Sequence, residues 1–308
     1  MSALANPVPR VDASHTYDAD SFVFSASLTE PIDRAEVQQG FVKLPETGGY
    51  QFAQVPPFQL QGIVSHSGGY SQVAGHPNSD GTGAITLATA VVENINVLDI
   101  LTADRVVGQI TTELAFDSDV PAVSFLGTRF DNLRIAGQPI EIEPHLDILG
   151  PKPDNDESYF SDGGVFSRIA HQYANIKRMV GLPKWASDQF VWDPTEAQRQ
   201  HKMNLSLVSS VSGAPGKSFG HVIELPFFGK IFLAELTIAL EPVNAGPRLE
   251  AAGPSGNEYY NYKFTLTMVR TELDGGASGE LRFAQPDPDG GGKGGPQPPP
   301  INPSKPKR

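Results

Sequence analysis

Cysteine is absent from the 308-residue chain. That excludes disulfides and thiolate metal ligands, and it leaves the redox compartment open, because a chain without thiols tolerates oxidising and reducing surroundings alike. Basic residues are few. With 23 Lys and Arg against 35 Asp and Glu, the net charge is -12, so the chain lacks the electrostatic footprint for a phosphate backbone and would be repelled by an anionic leaflet. Nucleic acid is therefore not an expected partner. Long apolar runs are also missing: nothing approaches the roughly 18 residues that mark a membrane-spanning helix. The opening stretch, MSALANPVPRVDASHTYD, has no basic region followed by an apolar one, so no export leader is expected. No H-x-H or H-E-x-x-H spacing links the seven His and no G-x-S-x-G elbow surrounds a Ser. Zinc and a serine-hydrolase elbow thus have no motif support.

What the chain has is 31 Gly and 27 Pro between short apolar runs, with charged residues at only 19%. That composition suits many strands joined by turns. The expected fold class is all-β: an antiparallel two-sheet sandwich-like body with a small helical insertion and a disordered C-terminal tail. Residues 1–18 read as an extended arm. "SFVFSASL" (Ser21–Leu28) and "FQLQGIVSH" (Phe58–His66) alternate as half-buried strands do, whereas the glycine-rich Ser67–Gly83 reads as a surface loop. From Ala84 to Phe116 β-branched residues predict two or three strands, with Ile85, Leu87, Thr89 and Val91 on one face. The piece from Leu98 to Ile110 also fits a helical period, strand being preferred. Alternation on both sides of Ala136–Pro139 predicts a hairpin with Leu133, Ile135, Ile140 and Ile142 inward.

Residues 150–202 break this pattern and read as an insertion between a first β-rich part, 19–149, and a second, 203–285. Val165, Ile169, Tyr173, Ile176 and Val180 trace a helical stripe ending at Gly181. Asp193, Pro194 and Glu196 form the start of a second short helix, as N-cap, first-turn proline and dipole-facing acid. From Pro286 the Gly/Pro-rich tail, 286–308, cannot bury enough surface to offset chain entropy and reads as disordered or polyproline-like.

Four motifs invite chemistry. Leu44–Gly48 spells LPETG, the pentapeptide sortases cut, but no membrane-length apolar stretch follows it, so a Pro-Gly turn is expected. Gly216-Lys217-Ser218 resembles part of a phosphate loop, yet Val211 stands where the first glycine belongs and a strand follows, which favours a hairpin loop. Asp154, Asp156, Glu157 and Asp162 crowd hard oxygen ligands into one loop, the type of group Ca²⁺ takes, although Tyr159 occupies the place of the EF-hand glycine. A solvated acidic loop is the blander reading. Tyr260 and Tyr262, with Tyr259 opposite, could stack on sugar rings or simply pack across strands.

Three blocks in order, "TAVVENINVLDILTADRVVGQITTELA", "RFDNLRIAGQPIEIE" and "GHVIELPFFGKIFLAEL" with "YKFTLTMVRTEL", resemble the choice-of-anchor P family of bacterial surface-protein ectodomains. The resemblance spans roughly 20–285. It implies a secreted or surface-displayed β-rich module with no known catalytic residues to carry over; this chain is expected to depart from the family's pattern in having no leader and no C-terminal anchor and in carrying the helical insertion. The expected function is a non-enzymatic structural or interaction protein, a surface or self-assembling subunit whose arm and tail pair with other copies or other proteins by strand addition. The alternative is a carbohydrate-binding module, calcium-assisted, with a glycan held by Tyr259, Tyr260 and Tyr262.

Overall fold

The computed structural model describes residues 15–30, 35–154, 157–242, 259–274, 277–288 and 295–296. Among these, the strands of five residues or more and the helices are, in chain order, β1 (Ala19–Glu30), β2 (Ala35–Gln39), β3 (Gly49–Val55), β4 (Gly68–Pro77), β5 (Gly83–Val97), β6 (Leu101–Ala115), α1 (Gly163–Lys177), α2 (Lys184–Gln189), α3 (Pro194–Gln200), β7 (Lys202–Ser206), β8 (Val208–Ser212), β9 (Gly229–Pro242), β10 (Tyr259–Asp274) and β11 (Ser278–Pro288). The fold is mostly β and antiparallel, as the composition implies.

The first sheet runs from Lys217–Phe219 through Val222–Leu225, β9, β10, β11 and β1 to β2, with β7 also paired to β9. The second places β3, β4, β5 and β6 side by side and adds short strands along the far edge of β6. The sheets pack face to face, β1 and β11 against β5 and β6. Between them Val23, Phe24, Leu28, Val92, Ile110, Leu266 and Phe283 are buried in one continuous cluster. This aligned stacking is how two half-apolar sheets remove their inner faces from water. In β5 it is Ala84, Ala88, Ala90 and Val92 that join the apolar clusters, while Ile85 and Leu87 on the other face stay half-buried.

Two local departures shape the functional surface. Strand β9 first pairs with Val222–Leu225 and then, past Ala234, with β7; Ala234 sits at the changeover with φ 48°. Strand β11 pairs with both β10 and β1 up to Phe283, then with β1 alone, and Ala284 between has φ 51°. A left-handed alanine is uncommon. Each marks the point where one strand exchanges or loses a neighbour.

Several sequence expectations change. Ser67–Gly83 is not a loop: most of it is β4, whose Val73 is fully buried. Its glycines serve close approach, since a Cβ on Gly69 would collide with the Val91 carbonyl and one on Gly75 would lie 2.5 Å from the Tyr17 ring. The extended arm docks from Tyr17, which is buried and donates its N–H to the Glu46 carbonyl at 3.0 Å; residues 1–14 lie outside the described part. The tail begins later than 286, because β11 continues to Pro288 opposite Ala19. Beyond Phe283 that strand serves β1 only, so Pro286 and Pro288 break no second ladder. Gly295–Pro296 pairs with Tyr259 and Tyr260, and the rest of the tail lies outside the described residues.

The Leu98–Ile110 piece is strand, entered through left-handed Leu98 and Asp99. The hairpin at Ala136-Gly137 has φ 48° and 77°, as a tight two-residue turn demands. Its ladder is short, for Glu141–Pro144 leaves to pair with β8. Helix α1 buries Val165, Ile169, Gln172 and Ile176, but Val180 is fully exposed because the helix stops at its cap, Arg178. Asp193 caps α3, accepting from the Thr195 and Glu196 amides.

Candidate functional site

The residues singled out in the sequence do not converge. Tyr262 is buried, its hydroxyl 2.6 Å from Ser158 Oγ and accepting from the Tyr159 amide at 3.1 Å, its ring stacked on Phe264. Burial pushes its pKa up to about 12, although the hydrogen bonds from Ser158 and Tyr159 pull the other way. It anchors the loop before α1 and presents no face to a sugar. Tyr259 and Tyr260 lie in β10 opposite Pro296 and Gly295, and their side chains are outside the described part. Asp154 and Glu157 are exposed, and Asp156 lies outside the described residues. Asp162 is engaged as the N-cap of α1, accepting from the Val165 amide at 2.8 Å. Among the described residues, no group of three or more His, Asp or Glu is placed to hold a metal ion. Leu44 of LPETG is buried, and the motif makes the expected turn, with the Gly48 amide on the Pro45 carbonyl.

A different constellation lies on the outer face of the first sheet. The end of α1 and α2 pack there through Ile176, Ala186 and Phe190 onto Phe219, Val222 and Phe232. Where β9 changes partner, a cavity of 310 Å³ opens between helices and sheet, with Tyr173 and Phe190 on the helical side and Glu235, Thr237, Thr265 and Arg270 on the strands. His221, just before the changeover, lines it, is 5% exposed and packs edge-on to Phe190. Its Nδ1 is buried without a hydrogen-bond partner. Burial lowers the His221 pKa to about 4, so the imidazole is neutral at ordinary pH.

Charge in this cavity is internally balanced. Arg270 Nε and Nη2 donate to the two carboxylate oxygens of Glu235 at 2.6 and 3.0 Å, and Nη1 donates to Glu272 at 2.5 Å. Glu272 also accepts from Lys230 at 2.8 Å, and Arg282 donates to Glu280. The Arg270 guanidinium lies 3.6 Å from the Phe232 ring centroid. Burial disfavours its charge, but the bonds to Glu235 and Glu272 outweigh that and raise its pKa. Burial pushes Tyr173 up to about 12, with Glu235 adding to the effect. An apolar cavity of 370 Å³ near Leu133, Ile140 and Ile142 has, by contrast, no buried polar atom without a partner among its described lining residues.

The second surface is the free edge of the second sheet. Strand β3 pairs with β4 and, among the described residues, with no other strand. Tyr50 and Phe52 point outward at 58% and 48% exposure. Their rings lie parallel, 6.5 Å apart, and Phe52 stacks at 5.7 Å on Tyr70 from β4. Neither β3 nor β4 contains Asp, Glu, Lys or Arg. β3 was not singled out from the sequence, although Gln51 between Tyr50 and Phe52 is a short alternating signal. The Glu235–Arg270 pair, 35 residues apart, had only a weak signal: charges set inside long apolar strands.

The chain belongs to a family described as a domain of unknown function (DUF8256), whose model matches residues 15–239. The matched span includes β3 and His221 and ends within β9. No curated protein and no solved structure matches the chain.

Proposed function

We propose that the chain is a non-enzymatic interaction protein that self-associates by strand addition, β3 of one copy pairing antiparallel with β3 of another. The observation that carries this is the uncharged, aromatic free edge at Gly49–Val55. An edge strand leaves alternate N–H and C=O groups without a ladder partner, and proteins ordinarily blunt such edges with lysine, proline or a bulge. β3 contains none of the first two, and its ladder with β4 runs in unbroken register.

Charge selects the partner. Copies with net charge -12 repel over most of their surface, so a patch free of formal charge is where two of them can approach closely. A two-fold axis at Phe52 makes the contact isologous, pairs Tyr50 with Gln54 across it and extends the aromatic row over both molecules. The resemblance to surface ectodomains is compatible with such a role, and it moves the connector from the termini to β3.

Light scattering coupled to size-exclusion chromatography on the full chain tests this. A concentration-dependent dimer that Phe52→Lys dissolves, and that removal of 1–14 or 289–308 leaves intact, is expected. A strict monomer at high concentration, or a dimer indifferent to Phe52→Lys, overturns it.

A further inference from the structure

The cavity under α1 and α2 plays no part in edge pairing, and its chemistry is distinct. We infer that it is a binding site for a neutral polyhydroxylated ligand, of monosaccharide to disaccharide size, held between His221, Thr237, Thr265 and the Tyr173–Phe190 wall. At about 310 Å³ it lies at the small end of the roughly 300–1,000 Å³ that ligand sites occupy.

The ligand class follows from what the lining leaves unsatisfied. A free anion would need a buried cation to spare, but Arg270 is bonded to Glu235 through two nitrogens and to Glu272 through the third, and Arg282, the other cation of the lining, is 43% exposed and already donates to Glu280. A free cation would need a carboxylate to spare, and both oxygens of Glu235 are bonded to that same arginine. What remains is hydroxyl and amide chemistry. Thr237 donates to the Asn204 side-chain oxygen at 2.9 Å, which leaves the Asn204 amide nitrogen turned to other acceptors. Thr265, whose hydroxyl is also bonded to Asp287, and the amide of Gln189 line the cavity as well. His221 brings a buried nitrogen with no partner. A neutral imidazole has one donor and one acceptor nitrogen, and a hydroxyl can answer either.

The aromatic side completes the match. Tyr173 commits its hydroxyl to the Asn204 carbonyl at 2.8 Å, so it and Phe190 offer apolar surface to the C–H faces of a ring. Alternating polar and apolar contacts of this kind suit a sugar or cyclitol. The glycan expectation first attached to Tyr259, Tyr260 and Tyr262 thus moves to the opposite side of the sheet from buried Tyr262.

The full chain is titrated with D-glucose, D-galactose, N-acetyl-D-glucosamine, cellobiose and myo-inositol, following thermal stability and the imidazole NMR signals of its histidines. At least one compound is expected to bind saturably and to shift the His221 signals, assigned with His221→Phe, while leaving those of His145 in place. Gln189→Trp, which fills the exposed mouth, and Thr237→Val are each expected to weaken binding about tenfold or more with circular dichroism unchanged. If one variant misfolds, the other and the His221 signals still decide. No saturable binding by any of the five up to about 50 mM, well past the millimolar range of weak sites, overturns the inference. So does inorganic phosphate binding there in their place, or sugar binding that both folded variants leave unchanged.

Discussion

The outer face of the first sheet and the free edge of the second are both β surface, yet they handle polar groups in opposite ways. On the first sheet Glu235, Arg270, Glu272 and Lys230 bond to one another across β9 and β10, and helices roof the neighbouring strands. Along β3 there is no charge, and among the described residues there is no helix over it and a ladder on one side only. A surface that satisfies its own charges can recognise only what fits the space left over. A surface whose backbone is unsatisfied recognises another backbone.

Breaking the charged side should cost most. Arg270→Met leaves Glu235 without its cation, while Glu272 keeps Lys230, in a region where Arg270 is only 13% exposed. Stability in urea is expected to fall by about 3 kcal/mol or more. A loss below about 1 kcal/mol, the worth of an exposed pair, would erase the contrast between the two regions.

The same sheet also sets Asp20 directly opposite Asp287. Burial pushes Asp287 up to about 7, Lys263 opposing and Asp20 reinforcing the shift. The unfolded carboxylate titrates near about 3.9. Folded Asp287 therefore keeps a proton that the unfolded chain has lost, and stability falls as pH rises from about 4 to 7. His221 acts with the reverse sign. With its folded value near 4, it stays neutral where the unfolded imidazole is charged, so stability rises with pH between about 4 and 6.5. The two act in opposite directions in the intact chain. Asp287→Asn removes only the first, and its stability advantage over the parent is expected to grow by about 2–3 kcal/mol from pH 4.5 to 7.5. A gap constant with pH would show that Asp287 titrates as an ordinary carboxylate.

Smaller effects are expected at Tyr262 and Phe52. Tyr262→Phe removes the hydroxyl that holds Ser158 and the Tyr159 amide, and a loss of about 1–2 kcal/mol is expected from thermal unfolding. Phe52→Lys, on the exposed edge, is expected to change monomer stability by no more than about 0.5 kcal/mol while abolishing self-association. A large destabilisation would mean that the aromatic row supports the fold rather than a contact.

How much of this was legible depends on how local the signal is. Asp193 as N-cap, the Ala136-Gly137 turn and β1 as a strand are properties of a few neighbouring residues and read correctly, although Ser21–Phe24 is buried on both faces and burial alternates only beyond it. Asp162 was weighed as a metal ligand although an aspartate just before a helix is equally an N-cap, the role it takes. Periodicity also separates two faces without saying which is inward. In β5 it is the smaller set, Ala84, Ala88 and Ala90, that joins the apolar clusters, while Ile85 and Leu87 stay half-buried. β4 was taken for a loop because its glycines signal flexibility locally, whereas their use is to let Tyr17 and the Val91 backbone come near. The cavity was invisible: His221, Glu235, Arg270 and Tyr173 meet only through the pairing of β9 with β10 and the docking of α1 and α2.

Hydrogen exchange of the backbone amides in β3, followed against protein concentration, tests the edge-pairing account most directly. Amides at alternate positions in Gly49–Val55 are expected to become protected as concentration rises in the parent chain and to stay unprotected in Phe52→Lys. Exchange across Gly49–Val55 that is independent of concentration in the parent would contradict it.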